Sequence, residues 1–120
     1  MKNKTVYIGL SADSIHHGHM KLLEKGRKYG DITIGLLADQ AVSQFKNLPY
    51  LNYEQRKQIL QNFKGVVKVV PQMESDYSFN IKKYKPDFMI HGDDWRTGYR
   101  WRFKLNCLKE LKKYGGKLVE

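Results

Sequence analysis

Short apolar runs alternate with amphipathic segments along the whole chain. Five runs are rich in β-branched and aromatic residues, and near-continuous apolar runs of this length are typical of strands buried on both faces of a sheet. The predicted strands cover residues 5–12, 31–38, 66–71, 87–92 and 117–120.

Apolar residues at helical spacing fill the segments between these runs. The predicted helices cover residues 19–29, 39–46, 52–65 and 99–114, and residues 77–84 are predicted to form a helix or a turn. Asn52 is the expected N-cap of the third helix, and Gly65 is its expected end. Ile59, Leu60 and Phe63 of the third helix are predicted to face inward. Four residues are predicted to share one side of the last helix, namely Phe103, Leu105, Leu108 and Leu111.

This alternation predicts a single α/β domain over residues 1–120, with an open, mostly parallel five-stranded sheet and helices on both faces. In such sheets ligands bind at the carboxyl ends of the strands, where the strand order switches. Polar clusters follow the first and fourth strands there, "SADSIHHGH" and "HGDDW". One site between these two clusters is therefore expected.

The net charge of +10 indicates a polyanionic ligand or partner. Much of the charge lies between residues 96 and 117. No run of 18 apolar residues exists and the N-terminus does not resemble a signal peptide, so no membrane partner is expected. The lone cysteine, Cys107, fits a reducing compartment, and a cytoplasmic location is expected.

Three of the four histidines stand at the junction between the first strand and the first helix. A zinc site is not expected, because His16 and His19 straddle a glycine and Cys107 has no second cysteine beside it in the sequence. Histidines held by loop hydrogen bonds are the structural alternative. A phosphate site has a clear physical basis, since a helix start binds anions and Gly18 allows a phosphate oxygen close to the backbone.

The stretch "ADSIHHGHMKLL" resembles the His-x-Gly-His signature of a nucleotidyltransferase superfamily that includes the cytidylyltransferases. Two further stretches, "LPYLNYEQRKQIL" and "HGDDW", are similar to family segments that follow in the same order. The combination looks most like cytidylyltransferase domains found with phosphoenolpyruvate mutase. It is also similar to glycerol-3-phosphate and choline-phosphate cytidylyltransferases.

The resemblance implies a Rossmann-like fold and a reaction in which CTP and a phosphonate or phosphate monoester, with Mg²⁺, give a CMP-linked product and pyrophosphate. It implies catalytic roles for His16, His19 and Lys46. It also implies that the chain forms a homodimer, and that a phosphoenolpyruvate mutase is fused or adjacent to it. The implied nucleotide-binding residues are Gly9, Leu10, Ser11, Asp13, Gly18, Arg56, Gly92, Asp94 and Trp95.

Several of these assignments have alternatives. Arg56 either holds the triphosphate, as Lys46 would, or forms an ion pair with Glu54 or Asp39. Trp95 either stacks on the base or packs in the core. The pair Asp93 and Asp94 is a candidate set of Mg²⁺ ligands, and Asp13 either braces its loop or faces the acceptor.

The family continues beyond this point with an Arg-x-x-Gly-Ile-Ser segment that closes over the triphosphate, and this sequence ends at Glu120. A missing lid and reduced activity are therefore expected. Three other functions stay open: an adenylyltransferase of the same superfamily, a catalytically inactive domain, and a basic nucleic-acid-binding domain. Nucleic acid is the least expected partner, because it leaves the histidine junction unexplained.

Overall fold

The computed structural model describes residues 3–12, 17–39, 51–74, 76–91 and 100–120. Its strands are β1 (Thr5–Leu10), β2 (Asp31–Leu37), β3 (Val66–Gln72), β4 (Phe88–Ile90) and β5 (Lys117–Val119). Its helices are α1 (His17–Arg27), α2 (Tyr53–Gln61), α3 (Ser78–Tyr84) and α4 (Arg100–Lys112). The helix predicted over residues 39–46 lies, after Asp39, outside the described residues.

The five strands form one sheet in the order β3-β2-β1-β4-β5, and every neighbouring pair is parallel. The chain moves outward from β1 through β2 to β3, and then crosses to β4 on the other side of β1. The strand order therefore switches between β1 and β4. The predicted open parallel sheet with helices on both faces is confirmed.

Each face of the sheet has its own apolar core, because alternate residues of a strand point to opposite faces. On the first face, Ile8 and Ile34 pack with Leu23 of α1 and Leu60 of α2. On the second face, Tyr7, Met89 and Val70 pack with residues of α3 and α4. The strands are thus buried on both sides, which explains their near-continuous apolar sequences.

The predicted start of α2 is confirmed. The Asn52 side chain accepts a hydrogen bond from the Gln55 N–H, and the Gln55 side chain accepts one from the Asn52 N–H, so the two form a capping box. The helix ends at Gln61, four residues before Gly65, which turns the chain into β3 with a φ of +86°.

The inward-facing prediction for α2 is wrong at Ile59, and α4 buries only part of its predicted apolar side. Ile59 is 39% exposed, because α2 turns Leu60 and Arg56 toward the sheet. Leu105 and Leu108 of α4 are also exposed, because the helix buries Cys107 and Leu111 instead. Both helices are rotated relative to the faces that apolar spacing alone predicts.

None of the helices in the described part of the chain has both the length and the apolar character that a bilayer-crossing helix requires.

A buried polar cluster on the second face fixes the carboxyl-terminal half of the sheet. The Tyr7 hydroxyl donates to Gln72 Oε1 and accepts from Asn80 Nδ2 at 2.9 Å. Burial raises the pKa of Tyr7 well above its usual value, so the hydroxyl stays protonated. Gly35 lies directly beneath this hydroxyl, and a Cβ there would overlap it and lie 2.8 Å from Gln72 Oε1.

We therefore expect Gly35→Ala to lower the free energy of unfolding by about 3 kcal/mol, because the added methyl group must displace a buried, hydrogen-bonded tyrosine. Urea denaturation measures the change. Gly115→Ala is the control, since a Cβ at Gly115 meets nothing within 4 Å and its φ of +85° alone opposes the substitution. Equal losses in the two variants would contradict the packing argument.

Candidate functional site

The carboxyl ends of β1 and β4 lie side by side at the switch point of the sheet. The chain leaves β1 through Ser11 and Ala12, and it leaves β4 through His91. Ala12 has a φ of +53°, a left-handed conformation that residues other than glycine adopt at a cost. The turn after β1 is therefore held in place by its surroundings.

Arg56 of α2 supplies that support. Its Nη1 donates to the carbonyl oxygens of Ser11 at 2.6 Å and Leu37 at 2.7 Å. Its Nε donates to the carbonyl oxygen of Leu51 at 3.1 Å, and its Nη2 donates to Asp39 Oδ1 at 2.7 Å. One guanidinium thus joins the ends of β1 and β2 to the segment that enters α2.

The Arg56 side chain is fully buried, whereas that of Asp39 is 43% exposed. A buried cation is stable only when it is paired and its N–H groups are hydrogen-bonded, and here both conditions are met. The Tyr53 ring lies 6.0 Å from the guanidinium. Burial raises the pKa of the Tyr53 hydroxyl, which has no hydrogen-bond partner within the described segments.

These contacts bear on the two roles considered for Arg56. The ion pair with Asp39 is present, and four of the five guanidinium N–H groups donate to described acceptors. A phosphate would find one remaining Nη2 N–H. Phosphate binding by Arg56 stays a prediction, and bracing of the strand ends is what the structure shows.

Helix α1 begins at the same edge of the sheet, because it follows β1 and runs back across the first face. Its first turn contains His17 and Gly18, which are exposed, and His19, which is half-buried. The positive end of the helix dipole therefore points to the edge where β1 and β4 end, an arrangement that favours an anion.

Two aromatic side chains that the sequence did not single out lie at this edge. The rings of Tyr77 and His91 are tilted against each other with centroids 5.3 Å apart. Tyr77 also covers Gly9, where a Cβ would approach its ring to 2.6 Å. His91 directly precedes the predicted Gly92, but nothing in the sequence links Tyr77 to it, because the contact joins distant segments.

Six of the predicted site residues lie within the described ranges, and Arg56 bonds to one of them, Ser11. The six are Gly9, Leu10, Ser11, Gly18, His19 and Arg56. The Leu10 side chain lies in the apolar core, so only its backbone is available to a ligand. The other predicted site residues lie outside the described residues; they are Asp13, His16, Lys46, Gly92, Asp94 and Trp95.

Within the described ranges, no group of three or more His, Cys, Asp or Glu side chains is arranged to hold a metal ion. The carboxylate at the end of β2, Asp39, is already paired with Arg56. Asp93 and Asp94, the carboxylates proposed from the sequence, fall outside those ranges.

Residues 7–118 match the protein family described as Cytidylyltransferase-like. The chain is 36% identical over 100 residues to the glycerol-3-phosphate cytidylyltransferase of Bacillus spizizenii, which covers 82% of this chain and 73% of that protein. It is 31% identical over 103 residues to the FAD synthase of Ferroglobus placidus, which covers 86% of this chain and 64% of that protein.

A solved structure, the lipopolysaccharide core biosynthesis protein from Thermoplasma volcanium GSS1, superposes with a TM-score of 0.78. The alignment covers 98% of this chain and 97% of the other at 18% identity, which supports a shared fold.

We expect Arg56→Lys to lower the free energy of unfolding by about 3 kcal/mol, because a single ammonium group cannot reach the four acceptors that the guanidinium joins. Chemical denaturation checks this. Lys57→Arg is the control, since Lys57 is the next residue of the same helix and is partly exposed; it should change stability by less than about 0.5 kcal/mol. An Arg56→Lys protein of unchanged stability would contradict the bracing role.

Proposed function

The chain belongs to the cytidylyltransferase-like family of nucleotidyltransferases, and on this premise we propose that it transfers CMP from CTP to a small phosphate monoester, releasing pyrophosphate. The observation that carries the proposal is the junction of β1 and α1. There a braced turn and a helix start containing Gly18 and His19 open at the switch point of the sheet.

Glycerol 3-phosphate is the acceptor we propose. Glycerol-3-phosphate cytidylyltransferases of Bacillus spizizenii and Staphylococcus aureus share 36% and 35% identity with this chain. Other acceptors with the same terminal group, namely phosphocholine and 2-aminoethylphosphonate, belong in the same screen. The predictions of a homodimer and of a neighbouring phosphoenolpyruvate mutase are supported by the sequence resemblance alone.

The reaction we propose is a direct in-line displacement. A phosphate oxygen of the acceptor attacks the α-phosphorus of CTP, the bond from that phosphorus to the bridging oxygen breaks, and pyrophosphate leaves. Ser11 and Ser14 are the hydroxyls near the junction, and a seryl nucleophile would need a dedicated base and an orienting group. Catalysis therefore depends on positioning and on charge stabilisation.

His16 and His19 are the proposed donors to the phosphate oxygens that gain charge during the transfer. The support for this role is the start of α1, whose dipole already favours an anion at that edge. Gly18 lets the phosphate approach the backbone. Donors that are fixed before the reaction stabilise the transition state without reorganisation.

The triphosphate requires further cations. Lys46 is proposed to hold the β- and γ-phosphates as a mobile point charge. Arg56 contributes chiefly by keeping the β1 turn in place, with at most its remaining N–H on a phosphate. Asp94 and Trp95, which follow β4, are proposed to contact the nucleoside, with Trp95 stacking on the base.

Mg²⁺ is proposed to enter bound to the triphosphate. The described residues offer no cluster of ligands for it, and Mg²⁺ commonly uses substrate phosphates, waters and only one or two carboxylates. Asp93 and Asp94 have the right chemistry to supply those carboxylates. The ion would offset the negative charge of the phosphates when bound.

ATP is the alternative donor. FAD synthases are among the relatives, and FAD contains an adenylyl group. The residues at the site do not by themselves distinguish cytosine from adenine, so nucleotide choice is a direct test of the proposal.

Replacing either His16 or His19 with Ala should lower kcat by about two to three powers of ten, the usual effect of losing one donor to a developing oxyanion. Pyrophosphate release measures kcat with CTP and glycerol 3-phosphate. His17→Ala is the control, because His17 occupies the variable position of the motif and is exposed. Unchanged turnover in either variant would reject its catalytic role.

Lys46→Ala should raise the KM for CTP with a smaller effect on kcat, because a cation on the β- and γ-phosphates binds ground state and transition state alike. Initial rates at varied CTP separate the two constants. A reduced kcat at unchanged KM would place Lys46 at the reacting phosphorus instead.

Calorimetry with Mg²⁺ should show tighter binding of CTP than of ATP, and His16→Ala should weaken the CTP affinity. Binding needs no turnover, so this test stands even if transfer is slow. Tighter binding of ATP would assign the chain to the adenylyl-transferring branch. Equal weak binding of both nucleotides would contradict a nucleotide site at the β1–α1 junction.

A further inference from the structure

Helices α3 and α4 lie side by side on the second face of the sheet and are joined near both ends. Asn106 of α4 donates to Asp76 Oδ2, just before α3, at 2.9 Å. The Tyr114 hydroxyl, just after α4, donates to the carbonyl oxygen of Pro86, just after α3, at 2.7 Å. The solvent-facing sides of the two helices therefore form one surface, which we call the outer helix face.

Large apolar side chains are exposed on this face. Phe79 of α3 is 69% exposed, and Trp101, Leu105 and Leu108 of α4 are 43%, 46% and 38% exposed. The three residues of α4 are spaced by four and three positions, so they form an exposed stripe along one side of the helix. An apolar stripe with this exposure is typical of a surface that contacts a partner.

Basic side chains surround the apolar ones. Among the side chains that the structure describes, the exposed basic residues of the two helices and of the turn after α4 are Lys82, Lys83, Arg102, Lys109, Lys112 and Lys113. Glu110 is the one acidic residue within the sequences of the two helices, and it is paired with Lys113 at 3.1 Å. The face is therefore strongly positive as well as partly apolar.

Lysines also converge at the end of α3. The ammonium groups of Lys68 and Lys83 lie 5.0 Å and 5.3 Å from the centre of the Tyr84 ring. The face of an aromatic ring attracts cations, so Tyr84 holds two positive charges at this end of α3. The positive potential thus extends from the helices to the neighbouring edge of the sheet.

We propose that the outer helix face binds the surface of an anionic lipid bilayer, with α3 and α4 lying along it. Lysines attract anionic headgroups, while tryptophan, phenylalanine and leucine side chains enter the boundary between headgroups and acyl chains. A peripheral contact of this kind needs no membrane-spanning helix, so the absence of a long apolar run does not oppose it.

The composition of the face favours lipid over nucleic acid. A phosphate backbone offers no apolar surface for Leu105 and Leu108, whereas the acyl chains of a bilayer would bury both side chains. Five of the six exposed basic side chains described on this face are lysines, which act as hydrated point charges, whereas arginine suits bidentate phosphate contacts.

The test uses vesicles of equal parts phosphatidylglycerol and phosphatidylcholine, and vesicles of phosphatidylcholine alone. The protein should sediment with the anionic vesicles at low salt and be released at high salt, where surface charges are screened. Trp101 fluorescence should shift to the blue on binding. This shift should disappear in Trp101→Phe, which separates Trp101 from Trp95.

Variants that remove lysine charges test whether the outer helix face makes the contact with the vesicles. Lys109→Gln with Lys112→Gln should weaken the partition onto anionic vesicles by about 25-fold, since each basic residue near an anionic surface is worth about a factor of five. The control, Lys28→Gln with Lys64→Gln, lowers the net charge equally but changes exposed residues outside α3 and α4. It should bind nearly as the original protein does, and both variants should keep CTP affinity and melting temperature.

Four results would overturn the proposal. Equal weakening in the two double variants would show diffuse attraction by net charge. Absence of vesicle binding at low salt would exclude lipid and leave an acidic protein surface as the occupant. Binding of a single-stranded RNA oligomer in place of vesicles, through the same lysines, would make nucleic acid the partner. Dimers that dissociate when Leu105 is changed to Gln would assign the face to a second copy of the chain.

Discussion

The carboxyl edge of this sheet depends on one buried cation. Arg56 donates hydrogen bonds to the carbonyl oxygens of Ser11, Leu37 and Leu51 and is paired with Asp39. Three chain segments that are distant in sequence meet at this guanidinium. Taking a charge out of water is costly, so the arrangement is stable only while every one of these partners is in place.

The hydrogen bonds of Arg56 stabilise the turn that follows β1. Ala12 is buried with a positive φ, a conformation that costs free energy in an isolated chain. The bond from Arg56 to the adjacent Ser11 carbonyl helps to offset this cost. The carboxyl end of β1 is thereby held in place before any ligand arrives. Such preorganisation is what transfer chemistry requires of a protein that contributes positioning and charge.

Much of the fold can be predicted from the sequence because burial on both faces leaves a local signature. The run from Thr5 to Leu10 is apolar at nearly every position, and the capping box at Asn52 lies within four residues. The rotation of α4 cannot be predicted in this way. Leu105 and Leu108 have the same apolar character as Leu111, and only the position of the sheet decides which of them is buried.

At the site, too, the sequence predicts features made by neighbouring residues but not contacts between distant ones. The histidine junction is readable because its residues are adjacent in sequence and fall between a strand and a helix. The function of Arg56 cannot be predicted from the sequence, because a guanidinium can bind a phosphate or a set of carbonyl oxygens equally well. Its partners Ser11 and Leu37 offer backbone oxygens, which every residue carries, so no residue type marks them. The Tyr77 contact with Gly9 cannot be predicted either, because it joins segments that are distant in the sequence.

The two faces of the sheet hold the protein together in different ways, and this bears on where a partner can act. On the first face, Arg56 connects α2 directly to the ends of β1 and β2, so a force on that helix would reach the site. On the second face, the bonds of Asn106 and Tyr114 run from α4 to the segments that flank α3. A partner on the outer helix face would therefore press on a pair of helices that brace each other, and it would leave the Arg56 cluster undisturbed.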